Sequence, residues 1–256
     1  MKKVLLFVVA LTLSVAAAAY AQSGQTNKYT VEASTSPTDK GSSTKPVPVG
    51  IKFGYKVGTV EGTRPIPVKK YSIRFDGLRV NTNQFPGCSQ AQLQASKARC
   101  ASARIGSGFV KNQSGATNNP NDKSIVCNLQ LTVYNSKNNK GLLLLEGGPG
   151  QPTQRECPIE FGTSNGVIPT NYNRTSRGVA LEFTVPQNLL HPLASLDNSV
   201  VDVNSTIARR TVRRSGRTIG YFESIGGCRN RRRTVTVTFT PERGTSQSAS
   251  SPAACK

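Results

Sequence analysis

Ile125, Cys127, Leu129, Leu131 and Val133 are separated by single residues that include Asn128, Gln130 and Thr132. A period of two places one set of side chains on one face, which suits an extended strand with a single buried side and no helix. The same alternation runs through Val49, Ile51, Phe53, Tyr55 and Val57, and through Tyr71, Ile73 and Phe75 after Ile66 and Val68. In Thr234–Thr240 it sets Val235, Val237 and Phe239 inward and four threonines outward. Further strands are expected at Leu142–Glu146, Val179–Val185, Val201–Val212 and Thr218–Ile225. One helix is signalled: Ser89 can cap it, and Gln92 can complete a capping box ahead of Leu93. The expected fold is all-β, an antiparallel β-sandwich over residues 46–241 with one short disulfide-bracketed helix. Residues 22–45 read as a flexible linker with one short strand around Tyr29–Glu32, and 242–256 as a flexible tail.

Lys2 and Lys3, the apolar run Val4–Ala18 and the small residues of Ala19-Tyr20-Ala21 form an export signal over residues 1–21. Its removal would leave 235 of the 256 residues and lower the formal charge from +20 to +18. No later run is long and apolar enough for a membrane span, so the expected product is secreted. Six cysteines in an exported chain point to disulfides. Cys88 and Cys100 flank the helix and are expected to pair. Cys127 and Cys157 each continue an inward-facing set, which leaves Cys228 for Cys255. A zinc site finds no Cys-x-x-Cys pair and only one histidine, so neither metal nor cofactor is expected.

Pro46-Val47-Pro48-Val49-Gly50, Phe75-Asp76-Gly77-Leu78, Phe85-Pro86-Gly87-Cys88, Cys100 and Arg104-Ile105-Gly106-Ser107-Gly108 together carry a family resemblance. Over roughly residues 46–185 the chain resembles a group of uncharacterised secreted β-rich proteins from actinobacteria. These share a Pro-x-Cys…Cys pair around a short helix and an Ile-Gly-x-Gly turn. Ala101 stands where that pattern has proline. The resemblance implies a β-rich exported body and no particular activity.

Arg209, Arg210, Arg213, Arg214, Arg217, Arg229, Arg231, Arg232 and Arg233 fall within 25 residues, against one acid, Glu223. Guanidinium forks match phosphate and carboxylate geometry. If the strands flanking Arg213–Arg217 pair, this charge gathers at one end of a sheet and would draw an anionic polymer or cell-surface polysaccharide. The plainer reading is a solubilising surface that keeps edge strands unpaired. Specific nucleic-acid recognition is not expected, because no interleaved aromatics accompany the basic run. The favoured function is a non-catalytic extracellular or cell-envelope protein that associates with anionic surfaces. The alternative is a secreted hydrolase or nuclease using His191 with a carboxylate and arginines.

His191, the single histidine, lies in Leu189-Leu190-His191-Pro192-Leu193 and reads as a packed or turn residue. Glu156, Glu160 and Glu182 could form a glycosidase pair, but acids this sparse fall together by chance. Ile105-Gly106-Ser107-Gly108 and Glu146-Gly147-Gly148-Pro149-Gly150 read as turns, without the Lys-Ser/Thr ending of a phosphate loop. Asn112, Asn173 and Asn204 sit in Asn-x-Ser/Thr contexts. Nothing in the sequence sets an oligomeric state.

Overall fold

The structure, a computed structural model, describes residues 25–147, 157 and 163–256. The export signal expected at 1–21 falls outside the described residues, as do Glu156 and Glu160. The strands run in chain order: β1 (Asn27–Ser36), β2 (Val47–Thr59), β3 (Val68–Asp76), β4 (Leu78–Val80), β5 (Arg104–Ala116), β6 (Ile125–Asn135), β7 (Lys140–Gly147), β8 (Val167–Arg174), β9 (Gly178–Thr184), β10 (Leu196–Ile207), β11 (Thr211–Arg214), β12 (Arg217–Gly220), β13 (Phe222–Ser224), β14 (Arg232–Pro241) and β15 (Gln247–Ala254). Among the described residues two short α-helices accompany them, α1 (Gln90–Ala95) and α2 (Gln187–Leu190), with 3-10 turns at Thr82–Gln84 and Lys97–Ala103.

β5 to β9 form an antiparallel meander. One wing continues from β9 through β3 and β14 to β15, the other from β5 through β10 and β2 to β1. Six strands separate β2 from β3 along this ladder, yet the Tyr55 and Tyr71 rings are 5.5 Å apart and Phe53 and Phe75 are 5.8 Å apart. The wings therefore fold across each other, giving the sandwich-like all-β body. Tyr29 of β1 stacks on Phe239 of β14 at 4.1 Å, and Tyr55 meets the edge of the same ring at 5.4 Å. Such pairs each contribute about 0.5–1.5 kcal/mol beyond the area they bury.

The run Leu142-Leu143-Leu144-Leu145 has a structural cause. Leu143 and Leu145 join the inter-wing core, while Leu142 and Leu144 lie under Leu93, Cys88 and Cys100 on the outer face. A strand buried on both faces loses its alternation. The capping box forms as the sequence indicates: the Gln92 N–H donates to Ser89 Oγ at 3.2 Å, and the Ser89 N–H donates to Gln92 Oε1 at 2.9 Å. Cys88–Cys100, Cys127–Cys157 and Cys228–Cys255 are all bonded, with Cα separations of 5.4, 5.6 and 6.1 Å. Loops of this size stabilise by about 3–4 kcal/mol each when closed.

Several expectations are corrected. The supposed linker 22–45 contains a ten-residue strand, β1, paired with β2 along its whole length. The supposed tail 242–256 contains β15, paired with β14. The strand expected around Tyr29–Glu32 is thus longer than foreseen, and β15 was not foreseen, because inward residues such as Ala33, Thr35, Ala249 and Ala253 are small or polar. The two strands lie against each other, and beyond them the Lys40 N–H donates to the Lys256 carbonyl at 2.7 Å. The segment Val201–Val212 divides into the end of β10 and β11, and Thr218–Ile225 divides into β12 and β13. Ile105-Gly106-Ser107-Gly108 is not a turn but part of β5. A Cβ on Gly108 would sit 2.0 Å from the Asn204 carbonyl oxygen, so these glycines admit the backbone of β10.

Candidate functional site

The arginine-rich stretch forms two exposed clusters. β11 and β12 pair as a separate two-stranded sheet, with Arg213 opposite Thr218 and Arg214 opposite Arg217. Ser215 and Gly216 turn the hairpin at φ 48° and 75°, the positive values a tight two-residue turn needs. Arg209, Arg213, Arg214 and Arg217 stand in solvent. Arg210 is half-buried and donates from Nη1 to the Ser102 carbonyl at 3.2 Å, anchoring the base of the hairpin. The second cluster is the turn before β14. Arg229 and Arg232 exchange backbone hydrogen bonds at 2.8 and 3.0 Å around Asn230 and Arg231, both at positive φ. The Cys255 N–H donates to the Arg231 carbonyl at 2.9 Å, so the Cys228–Cys255 bridge holds this turn against β15.

Arg233 is a correction to the expected anion-binding set. It is 1% exposed, and its guanidinium donates to Ser224 Oγ at 2.7 Å and to the carbonyls of Asp39 and Gly77 at 3.4 and 3.5 Å. Its Nε has no partner, and desolvation pulls its pKa below the ordinary arginine range. The alternation of β14 explains the exchange: Arg232 faces out and Arg233 faces in, on the side of Val235 and Val237.

Glu223, the one acid of the stretch, is also buried. Its carboxylate accepts from Arg79 Nε at 2.7 Å, Asn81 Nδ2 at 2.9 Å and the Gly220 N–H at 3.0 Å. It ties β13 to β4 and to the foot of the hairpin, and it offers no compensation to the exposed arginines. None of Arg209, Arg213, Arg214, Arg217, Arg229, Arg231 and Arg232 forms an ion pair among the described residues.

Antiparallel pairing brings both clusters to one end of the sandwich. The C-terminal ends of β1, β3, β6, β8, β10 and β15 and the N-terminal ends of β2, β5, β7, β9 and β14 meet there. Lys40, Lys45, Arg104, Lys137, Lys140, Arg174, Arg177 and Lys256 lie in the same strand ends and loops. Of the acids at this end, Asp76 is paired with Arg74 at 3.0 Å and Glu223 with Arg79 at 2.7 Å, which leaves Asp39 exposed.

His191 sits at the opposite end. It precedes β10 while Arg209 follows it, so the twelve-residue strand holds them roughly 35 Å apart. Its Nδ1 lies 3.2 Å from Asp197 Oδ1 and its Nε2 2.9 Å from Glu242 Oε2. Asp197 is buried and also meets Arg64 at 3.5 Å and the Thr117 hydroxyl at 3.1 Å. The histidine is thus within reach of carboxylates, as the hydrolase alternative requires. Both ring nitrogens, however, are already engaged by those carboxylates, and the cavity bordering Asp197 holds about 20 Å³. The arrangement is a clasp joining the loop after α2 to β10 and the end of β14. Sequence spacing hid it, because Glu242 is 51 positions away.

Glu182 faces outward between Ser72 Oγ at 3.1 Å and Asn173 Nδ2 at 2.9 Å. Asn112 is buried at 2% exposure, whereas Asn173 and Asn204 are exposed. Among the described residues no group of three His, Cys, Asp or Glu side chains is placed to hold a metal, and no helix is long and apolar enough to cross a membrane. No protein-family model, curated protein or solved structure matches the chain.

Proposed function

We propose that this is a secreted, non-catalytic protein of the cell exterior or envelope, and that its basic end associates with anionic polymers or surfaces. Three disulfides support a working life outside a reducing compartment. The carrying observation is the gathering of exposed, unpaired arginines on two disulfide- and sheet-anchored turns at one end. Charge that served solubility alone would have no cause to gather on one side. Concentrated charge of one sign raises the local potential and steers polyanions toward it.

The test uses duplex DNA as a generic polyanion. Each arginine that meets a phosphate contributes about 0.9 to the slope of log affinity against log salt. The variant R229S/R231S/R232S should flatten that slope by up to about 2.7. Equal slopes for parent and variant would reduce the cluster to a solubilising surface.

A further inference from the structure

A cleft of about 690 Å³ opens at the basic end, between the corner joining β3 to β4 and the β8–β9 hairpin. Its size lies within the range of about 300–1,000 Å³ common to small-ligand sites. Gly77, Gly178 and Gly227 contribute backbone to its lining, beside Val80, Tyr172, Val179 and Ile225. Gly77 sits at φ +69°, and a Cβ there would lie 2.1 Å from the Gly226 carbonyl oxygen. A Cβ on Gly227 would lie 2.5 Å from Gly77 Cα. Only paired glycines allow these two corners to close on each other and leave the space in front of them open.

Three guanidinium groups border the cleft: Arg79, Arg174 and Arg177. Arg79 is held rigidly by buried Glu223 through Nε and Nη2, each 2.7 Å from Oε2. Arg174 is exposed and joins no ion pair among the described residues. Arg177 reaches only to 3.7 Å from Asp76 Oδ2, looser than a hydrogen bond. Asp76 Oδ1 is occupied by Arg74 Nε at 3.0 Å, which leaves Oδ2 as an acceptor on the cleft side. The hydroxyls of Ser43 and Ser176 and the amide of Asn139 complete the polar lining.

We infer that this cleft seats an acidic sugar, a uronate unit of an anionic polysaccharide. The inference rests on the proposal that the basic end binds anionic polymers, and it names the unit held there. A uronate carboxylate meets a guanidinium fork with two parallel hydrogen bonds. Its ring hydroxyls can donate to Asp76 Oδ2 and exchange hydrogen bonds with Ser43, Ser176 and Asn139. A phosphate polymer answers only half of this lining. Inorganic polyphosphate carries acceptors alone and has no hydroxyl to donate to Asp76 Oδ2, whereas a uronate ring has both.

The experiment is calorimetric titration of the full exported chain with tetragalacturonate at physiological salt, with inorganic polyphosphate and duplex DNA as parallel arms. R174S/R177S should weaken tetragalacturonate binding at least tenfold and weaken DNA binding by a clearly smaller factor. R229S/R231S/R232S should do the reverse. R174S alone, which disturbs no contact within the fold, should weaken tetragalacturonate binding several-fold and guards against misfolding of the double variant. The inference is overturned if R174S/R177S binds tetragalacturonate like the parent, if the parent does not bind it, or if polyphosphate displaces it equally well at equal charge. Failure of the parent to bind DNA would instead strike the broader reading, and cleft-dependent tetragalacturonate binding would then stand alone.

Discussion

At the basic end, arginines of β11, β12 and the Arg229–Arg232 turn stand in solvent with no acid partner among the described residues. At the histidine end, Arg64, Asp197, His191, Glu242 and Arg243 interlock, with Asp197 touching Arg64 at 3.5 Å, His191 at 3.2 Å and Arg243 at 4.0 Å. Exposed single charges contribute little to folding, so the first arrangement leaves its electrostatic potential free for an external anion. Desolvated, mutually satisfied charges act on the fold, and they have little left for a ligand. The same residue types thus take on different work according to solvent and partners.

The contrast breaks most visibly at Asp197. Replacing it with alanine strips the partner from Arg64, whose side chain is 2% exposed. Removing one member of a buried pair costs about 3–5 kcal/mol, so the urea midpoint should fall steeply. A loss under about 1 kcal/mol, the range of surface pairs, would show that the histidine end is no more interlocked than the basic one.

A second comparison lies inside the arginine stretch. R233S should cost about 2 kcal/mol, because it empties a packed site and takes the guanidinium donor from the Ser224 hydroxyl and the Asp39 carbonyl, while the Gly77 carbonyl keeps the Ile225 N–H. R232S, one position earlier and exposed, should stay within about 0.5 kcal/mol. Equal midpoints for the two variants would contradict the burial of Arg233.

A smaller effect is expected at the clasp. H191A should cost about 1 kcal/mol, the net worth of hydrogen bonds to charged groups at a partly exposed site. It should leave the salt slope of DNA binding unchanged. A changed slope would join the two ends functionally.

The smallest effect is local. Hydrogen bonds from the Ser124 side chain, the Ala116 N–H and the Ser124 N–H depress the Asp122 carboxyl from 3.8 to about 2. A depressed carboxyl stabilises above its unfolded value, and that contribution is lost as pH falls from about 4 through about 2. The protection of amides in residues 116–124, taken relative to intrinsic exchange at each pH, should therefore fall across that window, while the Arg213–Arg217 hairpin shows no such step. Uniform behaviour at both ends would remove the distinction.

Much of the fold was legible in the chain. The alternations in β2, β3, β6 and β14 specify their buried faces, because a period of two is a property of neighbouring residues. The capping box at Ser89 and Gln92 is equally local. The full length of β1, beyond the short strand expected around Tyr29–Glu32, and all of β15 were illegible for a matching reason. Tyr29 and Val31 start the inward face of β1, but it continues with Ala33 and Thr35, and that of β15 carries Ala249 and Ala253, so backbone ladders, edge packing and the Cys228–Cys255 bridge hold what no sustained hydrophobic stripe announces.

The candidate site divides in the same way. The sequence by itself determined a disulfide-bearing β chain and the density of its arginines, which follow from composition and short-range spacing. Only the tertiary structure decided which arginines are presented. Arg232 and Arg233 are adjacent and chemically identical, yet the pleat of β14 sends one into water and the other among Gly77, Ser224 and Asp39. Likewise, only the folding of one wing over the other set His191 between two carboxylates and far from the arginines. Desolvation and pairing depend on residues that are distant along the chain, and no local pattern encodes them.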